Sequence, residues 1–391
     1  MSLKSVSSLA DLDKVQVCWK AWQDNPNSDF EHFQLICRLR SEVKAPYVIV
    51  AERNGDPCAL LCARLEYSSF VPRIGYFSLP RLPAVILNVL YEGFLGDVDA
   101  DVARSTFQYV WSLLASGMAD AAVFNRLSED SPLMHVLMDR APQTWCEKRI
   151  AWTTHRSMTL MGDQGFLLKR LRSKHRSWIR RKQRELESAF PGEVIWRLLD
   201  RTADIYELCT RLELVASRTY QRGLGSGFID DQEHRAQLSL FASRGQLRVQ
   251  LLEIAGEIRA FWIGIVYGGV FYSWDTGYDP DLRDYEPGTL VFLRLTDGLV
   301  SEGVQKVDFG LGDALYKQRF GDNSWREATV RLFAPTPRGL FLRAVLAFSG
   351  LLDRTARRFL EKAGLFDRMK TGWRRRLIPA GRVSTEKSAS R

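Results

Sequence analysis

The chain has 391 residues, of which 46% are hydrophobic and 26% charged. These proportions exclude a disordered or fibrous chain, and the length suits two domains of ordinary size. The net charge of +9 is concentrated in Gly165–Ser188, with nine Lys/Arg against two Asp/Glu, and in Pro335–Arg391, with fourteen against four, so the remaining body is acidic.

Leu9–Asp24 and Asp29–Arg40 carry helical periodicity. Tyr47–Glu52 and Cys58–Glu66 read as strands around a turn that contains Asn54 and Gly55. Arg73–Leu79 and Val85–Tyr91 are further strand candidates. Asp99–Leu114 is an amphipathic helix with Asp99 and Asp101 at its start, where acids suit the helix dipole. Ala121–Leu127, Pro132–Arg140 and Ile150–Leu160 follow as strand, short helix and closing strand. Gly165–Ser188 is expected as one long basic helix. Glu193–Leu199 is then a strand, and Thr202–Tyr220 and Asp231–Ser243 are helices. Three strands, Gln246–Ile254, Glu257–Tyr267 and Val270–Tyr278, make a meander with Gly turns. Gly288–Glu302 is a helix, and Lys306–Phe309 and Arg326–Phe333 are strands. A helical tail ends in a Ser/Arg/Lys segment expected to be disordered after about Pro379.

The two halves share this order of elements without a residue-level repeat. The pattern predicts an α+β layered fold with domains at 1–162 and 163–335. Each is a mostly antiparallel mixed sheet flanked by helices, and a basic helical tail occupies 336–391. The cysteines (Cys18, Cys37, Cys58, Cys62, Cys146 and Cys209) form no C-x-x-C pair and read as buried thiols. Met1–Lys14 lacks an apolar signal core, and no run of about 18 apolar residues occurs, so a reducing cytoplasm is expected. The five histidines show no metal-ligand spacing, and no metal is expected. No G-x-S-x-G or Walker A sequence appears, which argues against hydrolase and NTPase readings.

Val270–Phe320 is the most informative segment: a strand ending Trp274-Asp275-Thr276-Gly277-Tyr278-Asp279, the turn Glu286-Pro287-Gly288-Thr289-Leu290, the strand Val307-Asp308-Phe309-Gly310, and then Tyr316-Lys317. A helix that starts after a strand presents unpaired N–H groups and the positive end of a dipole, a seat for phosphate. Pro-Gly is also common in a plain helix start. Together these residues, over about Arg172–Phe320, resemble the acyl-CoA-binding half of the GNAT acetyltransferases. More narrowly they resemble the CelD-like branch found with cellulose and exopolysaccharide synthesis. The tandem layout is similar to that of the FemABX peptidyl transferases.

The resemblance implies an acyltransferase using acetyl-CoA or another acyl-CoA, acting on a sugar or polysaccharide-related acceptor. Pro287, Gly288, Thr289 and Leu290 would cradle the diphosphate, although this loop offers one Gly where the commoner Gln/Arg-x-x-Gly-x-Gly form offers two. Tyr278 and Lys317 would also face the cofactor, Lys317 reaching an anionic group or pairing with Asp308. Asp275 or Asp308 would take the proton, and Tyr316 would return one to sulfur. Trp274 is split between core packing and substrate stacking. Arg218, in Ser217–Tyr220 ahead of the glycines at 223–227, would face the acceptor from a loop over the cleft, for which a helix end with left-handed glycines is the plainer reading. The basic helix is a solvated interdomain element or an anion-binding face. A FemABX-like transfer from charged tRNA and a non-catalytic synthase scaffold are the alternatives; nucleic acid is not the expected partner. In the tail, Gly339–Leu352 reads as a docked helix, with peripheral membrane contact expected past Asp353.

Overall fold

The computed structural model describes residues 1–75, 77–140, 151–200, 204–219, 222, 227–312 and 314–362. The first half opens with β1 (Ser2–Val6), α1 (Gln16–Trp22) and α2 (Phe30–Leu39), followed by β2 (Val43–Arg53) and β3 (Asp56–Phe70). A two-stranded hairpin, β4 (Arg73–Ile74) and β5 (Phe77–Ser78), stands apart from the sheet, where the sequence suggested a longer strand. Then come β6 (Leu82–Gly96), α3 (Ala100–Ala115), β7 (Ala121–Ser128), α4 (Pro132–Arg140) and β8 (Thr153–Thr159). The second half contains α5 (Phe166–Arg170), α6 (Ser173–Ala189), β9 (Val194–Leu199), α7 (Ile205–Ala216) and α8 (Gln232–Ser243). It continues with β10 (Leu247–Ile254), β11 (Glu257–Tyr267), β12 (Val270–Tyr278), α9 (Pro287–Ser301), β13 (Lys306–Leu311), α10 (Leu315–Phe320), β14 (Asn323–Phe333) and α11 (Pro337–Lys362).

Among the described residues, twelve strands form one sheet in the order β1-β2-β3-β6-β7-β14-β8-β13-β12-β11-β10-β9. Each half supplies an antiparallel meander followed by a parallel strand: β6 with β7, and β12 with β13. The strands that complete the two motifs are exchanged. β14, from the second half, pairs with β7, whereas β8, from the first, pairs with β13. β14 and β8 also pair with each other, from Asn323↔Ser157 to Glu327↔Thr153, and this ladder makes the sheet continuous. The sheet therefore does not divide at residue 162.

The alternation of strand side chains explains the layers. Leu61 and Ala63 of β3 join the cluster under α3 and α4, while Leu60 and Cys62 pack with Trp19, Phe30 and Phe33 on the opposite face. In the second half Trp262 and Phe271 pack against Val291, Phe292 and Leu295 of α9. Phe261 and Ile263 pack against Leu208, Leu212 and Phe241 from α7 and α8. The basic helix is two helices, α5 and α6, because Leu171 and Arg172 are extended. At 100° per residue a continuous helix would set Leu167 roughly 120° from Ile179; the break lets Leu167, Ile179 and Leu186 all be buried. Cys62 and Cys209 are buried and Cys18, Cys37 and Cys58 half-buried, all as free thiols; Cys146 lies outside the described residues.

The halves are clamped across α2 and α8. Arg40 binds Glu233 in a two-pronged ion pair at 2.8 and 2.6 Å, and Arg244 reaches Asp29 at 3.0 Å. The Tyr267 hydroxyl donates to the same Asp29 at 3.0 Å. Strand exchange and clamp together predict one cooperative unfolding transition for both halves, checked by calorimetric and van't Hoff enthalpies that agree. A chain ended before residue 323 is expected to be insoluble, because it leaves β7 and β8 with uncovered edges.

Candidate active site

Among the described residues, β12 and β13 are paired only at Val270↔Lys306, Phe271↔Val307 and Tyr272↔Asp308. Beyond Tyr272 the edge of β12 that faces β13 has no ladder partner, and the strands diverge. At the same level the β11–β12 register shifts: Ile263 faces Asp275, Gly264 faces Ser273, and Trp274 is the bulged residue. Glycine is required opposite the bulge, because a Cβ on Gly264 would lie 2.2 Å from the Phe271 ring and 2.5 Å from the Tyr272 carbonyl oxygen. The bulge reverses the side-chain alternation, so Thr276 and Tyr278 turn to the α9 side while Tyr272 and Trp274 stay on the α7–α8 side.

Two cavities flank this point. The first, of about 580 Å³, lies on the α9 side between Trp262, Thr276, Tyr278, Gly288, Thr289, Tyr316 and Phe320, with Arg283 and Glu286 also in its wall. The α9 N-terminus opens into it. Glu286, in the left-handed conformation (φ 56°), makes no side-chain cap to that helix. Thr289 and Leu290 N–H groups both turn to the Glu286 carbonyl oxygen, at 3.0 and 3.1 Å, which leaves Gly288 N–H as the forward-facing donor. An added Cβ at Gly288 would meet only the Tyr278 ring, at 3.5 Å. The corresponding helix of the first half is closed. Asp99 caps α3 by accepting from Asp101 and Val102 N–H at 3.0 and 2.8 Å, and Arg53 pairs with it at 2.7 Å.

The second cavity, of about 380 Å³, lies between the halves. His32, Tyr91 and Arg126 enter from the first half and Tyr272, Ser273, Trp274, Asp308 and Lys317 from the second. His32 Nδ1 lies 2.8 Å from the Pro26 carbonyl oxygen. A carbonyl only accepts, so Nδ1 carries the proton and Nε2 carries the lone pair. Nε2 is buried with no hydrogen-bond partner. Burial holds the His32 pKa below the usual imidazole value, which favours the neutral ring.

At the floor of this cavity His155, on β8, bridges the two exchanged strands. Its Nε2 lies 2.6 Å from Asp308 Oδ1 and its Nδ1 3.1 Å from Glu327 Oε1. Trp325 stacks on the ring at 4.3 Å and donates from Nε1 to Glu327 at 2.6 Å; the Tyr91 hydroxyl donates to the same oxygen at 3.0 Å. Burial alone would lower the imidazole pKa, but hydrogen bonds to the two carboxylates outweigh it and hold the pKa at about 9. Burial, with Glu327 adding, raises the nearby Glu92 carboxyl to about 7.

The residues singled out in the sequence fall into separate places. Pro287, Gly288, Thr289, Tyr278 and Tyr316 line the first cavity. Leu290 is buried in the core beside them. Trp274, Asp308 and Lys317 line the second, Trp274 in edge contact with His32 and Phe241. Asp308 and Lys317 each bind other groups. Asp308 binds His155 and accepts from Gly310 N–H, while Lys317 Nζ donates to the Phe309 and Gly310 carbonyl oxygens at 2.6 and 3.3 Å. Burial lowers the Lys317 pKa to about 8. Asp275 lines neither cavity; burial raises its pKa on the α7–α8 side, where His234 is its charged neighbour. Arg218 is held by Asp279 and Asp281, both at 2.7 Å, and fixes the turn after β12. The loop residues 223–226 lie outside the described residues. His32 and His155 carried no local motif; only the fold brings them to the site.

Residues 173–318 match the family described as Acetyltransferase (GNAT) domain. That segment runs from α6 into α10 and builds most of the first cavity's wall. The chain is an acyltransferase with a GNAT domain in its second half. No curated protein matches it. Among solved structures, FemX is similar over 88% of this chain and 100% of its own, at 10% identity and a TM-score of 0.58. A tandem GNAT protein from the clavulanic acid biosynthesis pathway, solved without AcCoA, is similar over 86% and 99%, at 12% identity and a TM-score of 0.50. At such identities the likeness is one of fold.

The raised His155 pKa gives a pH prediction. Stability from its charged form is fully present below the unfolded value of about 6.5 and is lost as pH rises through about 9. The melting-temperature gap between the wild type and His155→Gln should therefore narrow across that window. Using the gap removes the opposite contribution of Lys317, whose lowered pKa favours folding as pH rises above about 8.

Proposed function

We propose that the protein transfers an acyl group from acyl-CoA, acetyl-CoA being the simplest donor, directly to an amine or hydroxyl of a sugar or polysaccharide-precursor acceptor. The observation that carries this reading is the pair of cavities on either side of the point where β12 and β13 part. Trp262, in the wall of the first, donates from Nε1 to Ser273 Oγ, in the wall of the second, at 2.9 Å. The consecutive residues Tyr316 and Lys317 likewise line different cavities. A thioester held in the first cavity then presents its carbonyl at the gap, and an acceptor in the second approaches it.

The CoA diphosphate sits at the open α9 N-terminus, with Gly288 N–H and the Arg283 guanidinium as donors. Arg283 is needed to offset the Glu286 carboxylate in the same wall. Backbone N–H groups on the edge of β12 that faces β13 hold the thioester oxygen as charge develops on it. The acceptor nitrogen or oxygen attacks the carbonyl carbon, and His32 Nε2 takes the acceptor's proton. The carbon–sulfur bond breaks, and the Tyr316 hydroxyl protonates the departing thiolate. Tyr272 and Trp274 offer aromatic faces to a sugar ring. Asp308, already bonded to His155 and Gly310, serves the wall of the site rather than proton transfer.

A second donor is favoured by one feature. Arg181, Arg184 and Tyr285 line a shallow groove beside the turn that carries Arg283. That groove fits the phosphorylated adenosine of CoA or the 3′-terminal adenosine of a charged tRNA. Steeply salt-dependent tRNA binding without acyl-CoA binding would replace the first reading by the second.

Gly288→Val is expected to abolish the thermal stabilisation given by acetyl-CoA, longer acyl-CoAs or free CoA while leaving the unliganded melting temperature near that of the wild type. Full stabilisation of this variant would remove the donor assignment. His32→Gln should lower kcat/KM by about 10²–10³-fold with donor binding intact, and should remove the fall of activity at acid pH that a neutral imidazole base imposes.

A further inference from the structure

Between Leu340 and Leu352, helix α11 turns an apolar face to solvent. Its inner face, with Leu342 buried and Leu346 beside it, packs on Phe333 and the edge of β7. The outer face exposes Leu340 (44%), Phe341 (56%), Phe348 (62%), Leu351 (52%) and Leu352 (38%). Ala344 and Ala347 fill the space between them. At 100° per residue these seven side chains occupy an arc of roughly 140°, the sector where a surface helix ordinarily carries its charges. The hairpin next to it, tied to α11 by a 2.6 Å bond from Gly75 N–H to Asp353, adds Phe77, 75% exposed. An apolar surface of this kind marks an interaction site.

Charge identifies the partner. Arg343 and Arg354 lie along one flank of the apolar arc, and Arg338 lies on the other. The chain then continues, over residues 357–391, with eleven Lys/Arg against three Asp/Glu. A second copy of this chain would bring like charge against like. No helix among the described residues is long and apolar enough to cross a membrane. We infer that α11 lies flat on an anionic lipid surface, with Phe341, Phe348 and Leu351 in the acyl boundary and the arginines at the phosphates. This inference is independent of the proposed reaction.

The test is flotation of the full chain with vesicles of phosphatidylcholine alone or mixed with phosphatidylglycerol, beside a Phe341→Ser/Phe348→Ser variant. Both side chains are exposed, so the variant should melt as the wild type does. The wild type is expected to float with the anionic vesicles, and less so at high salt. The variant should bind at least about tenfold more weakly, since each phenylalanine removed from the boundary forfeits apolar burial. Absence of flotation, equal recovery with neutral vesicles, or unchanged binding by the variant would overturn the inference. So would a dimer in light scattering that the double substitution dissolves, which would assign the face to a second copy.

Discussion

The structure turns on one imidazole. His155 sits between Asp308 and Glu327, which belong to the strands on either side of it, at the place where each half has given the other a strand. A buried ion pair is a doubtful source of net stability, but removing one partner leaves uncompensated charge and costs about 3–5 kcal/mol. Here the cation separates two carboxylates that would otherwise repel each other in a dry setting. Trp325 and Tyr91 complete the shell by stacking and by donating to Glu327. The cluster also forms the floor of the second cavity, so the contact that joins the halves shapes that cavity.

The halves follow one plan but differ at the decisive spot. In both, a parallel pair of strands parts near a helix start. In the first half Asp99 occupies that start with its own carboxylate and recruits Arg53, so the anion seat is filled from within. In the second, Glu286 turns through a left-handed conformation and leaves the helix end uncapped. One capping residue thus distinguishes a filled helix start from an open one. The first half still reaches the second, because α2 carries His32 into the shared cavity and ion pairs with α8 hold that helix there.

Much of the architecture was legible because it is written in local periodicity. The Asn54-Gly55 turn before β3, the Asp99 start of α3 and the Pro-Gly start of α9 each announced their elements, and the Val270–Phe320 run supplies most of the first cavity's lining. What stayed hidden depends on distance along the chain. β8 and β14 read as the closing strands of their own halves, since nothing in a strand's pattern states which edge it joins. The pairing of His32 with Trp274 spans more than half the sequence, and His32 sits in no motif. The bulge at Trp274 was concealed by an unbroken aromatic alternation. It is enforced by Gly264 on the neighbouring strand, and it sends Tyr278 to the other face. The break at Leu171 and Arg172 was masked by charges that surround the helix evenly; only the few apolar residues reveal that one straight rod cannot bury them all.

The exchanged strand also sets a schedule. When the ribosome has released the first half, β7 is still missing the neighbour that will come from residues near 330, and β8 waits for the same segment. The nascent chain must carry two exposed ladders until residues 323–333 have been made, and long-range pairing of this kind is slow to form. Translation therefore has to pass residue 333 before the sheet can close. A pause or a premature stop ahead of residue 323 would strand the polypeptide in its most adhesive state.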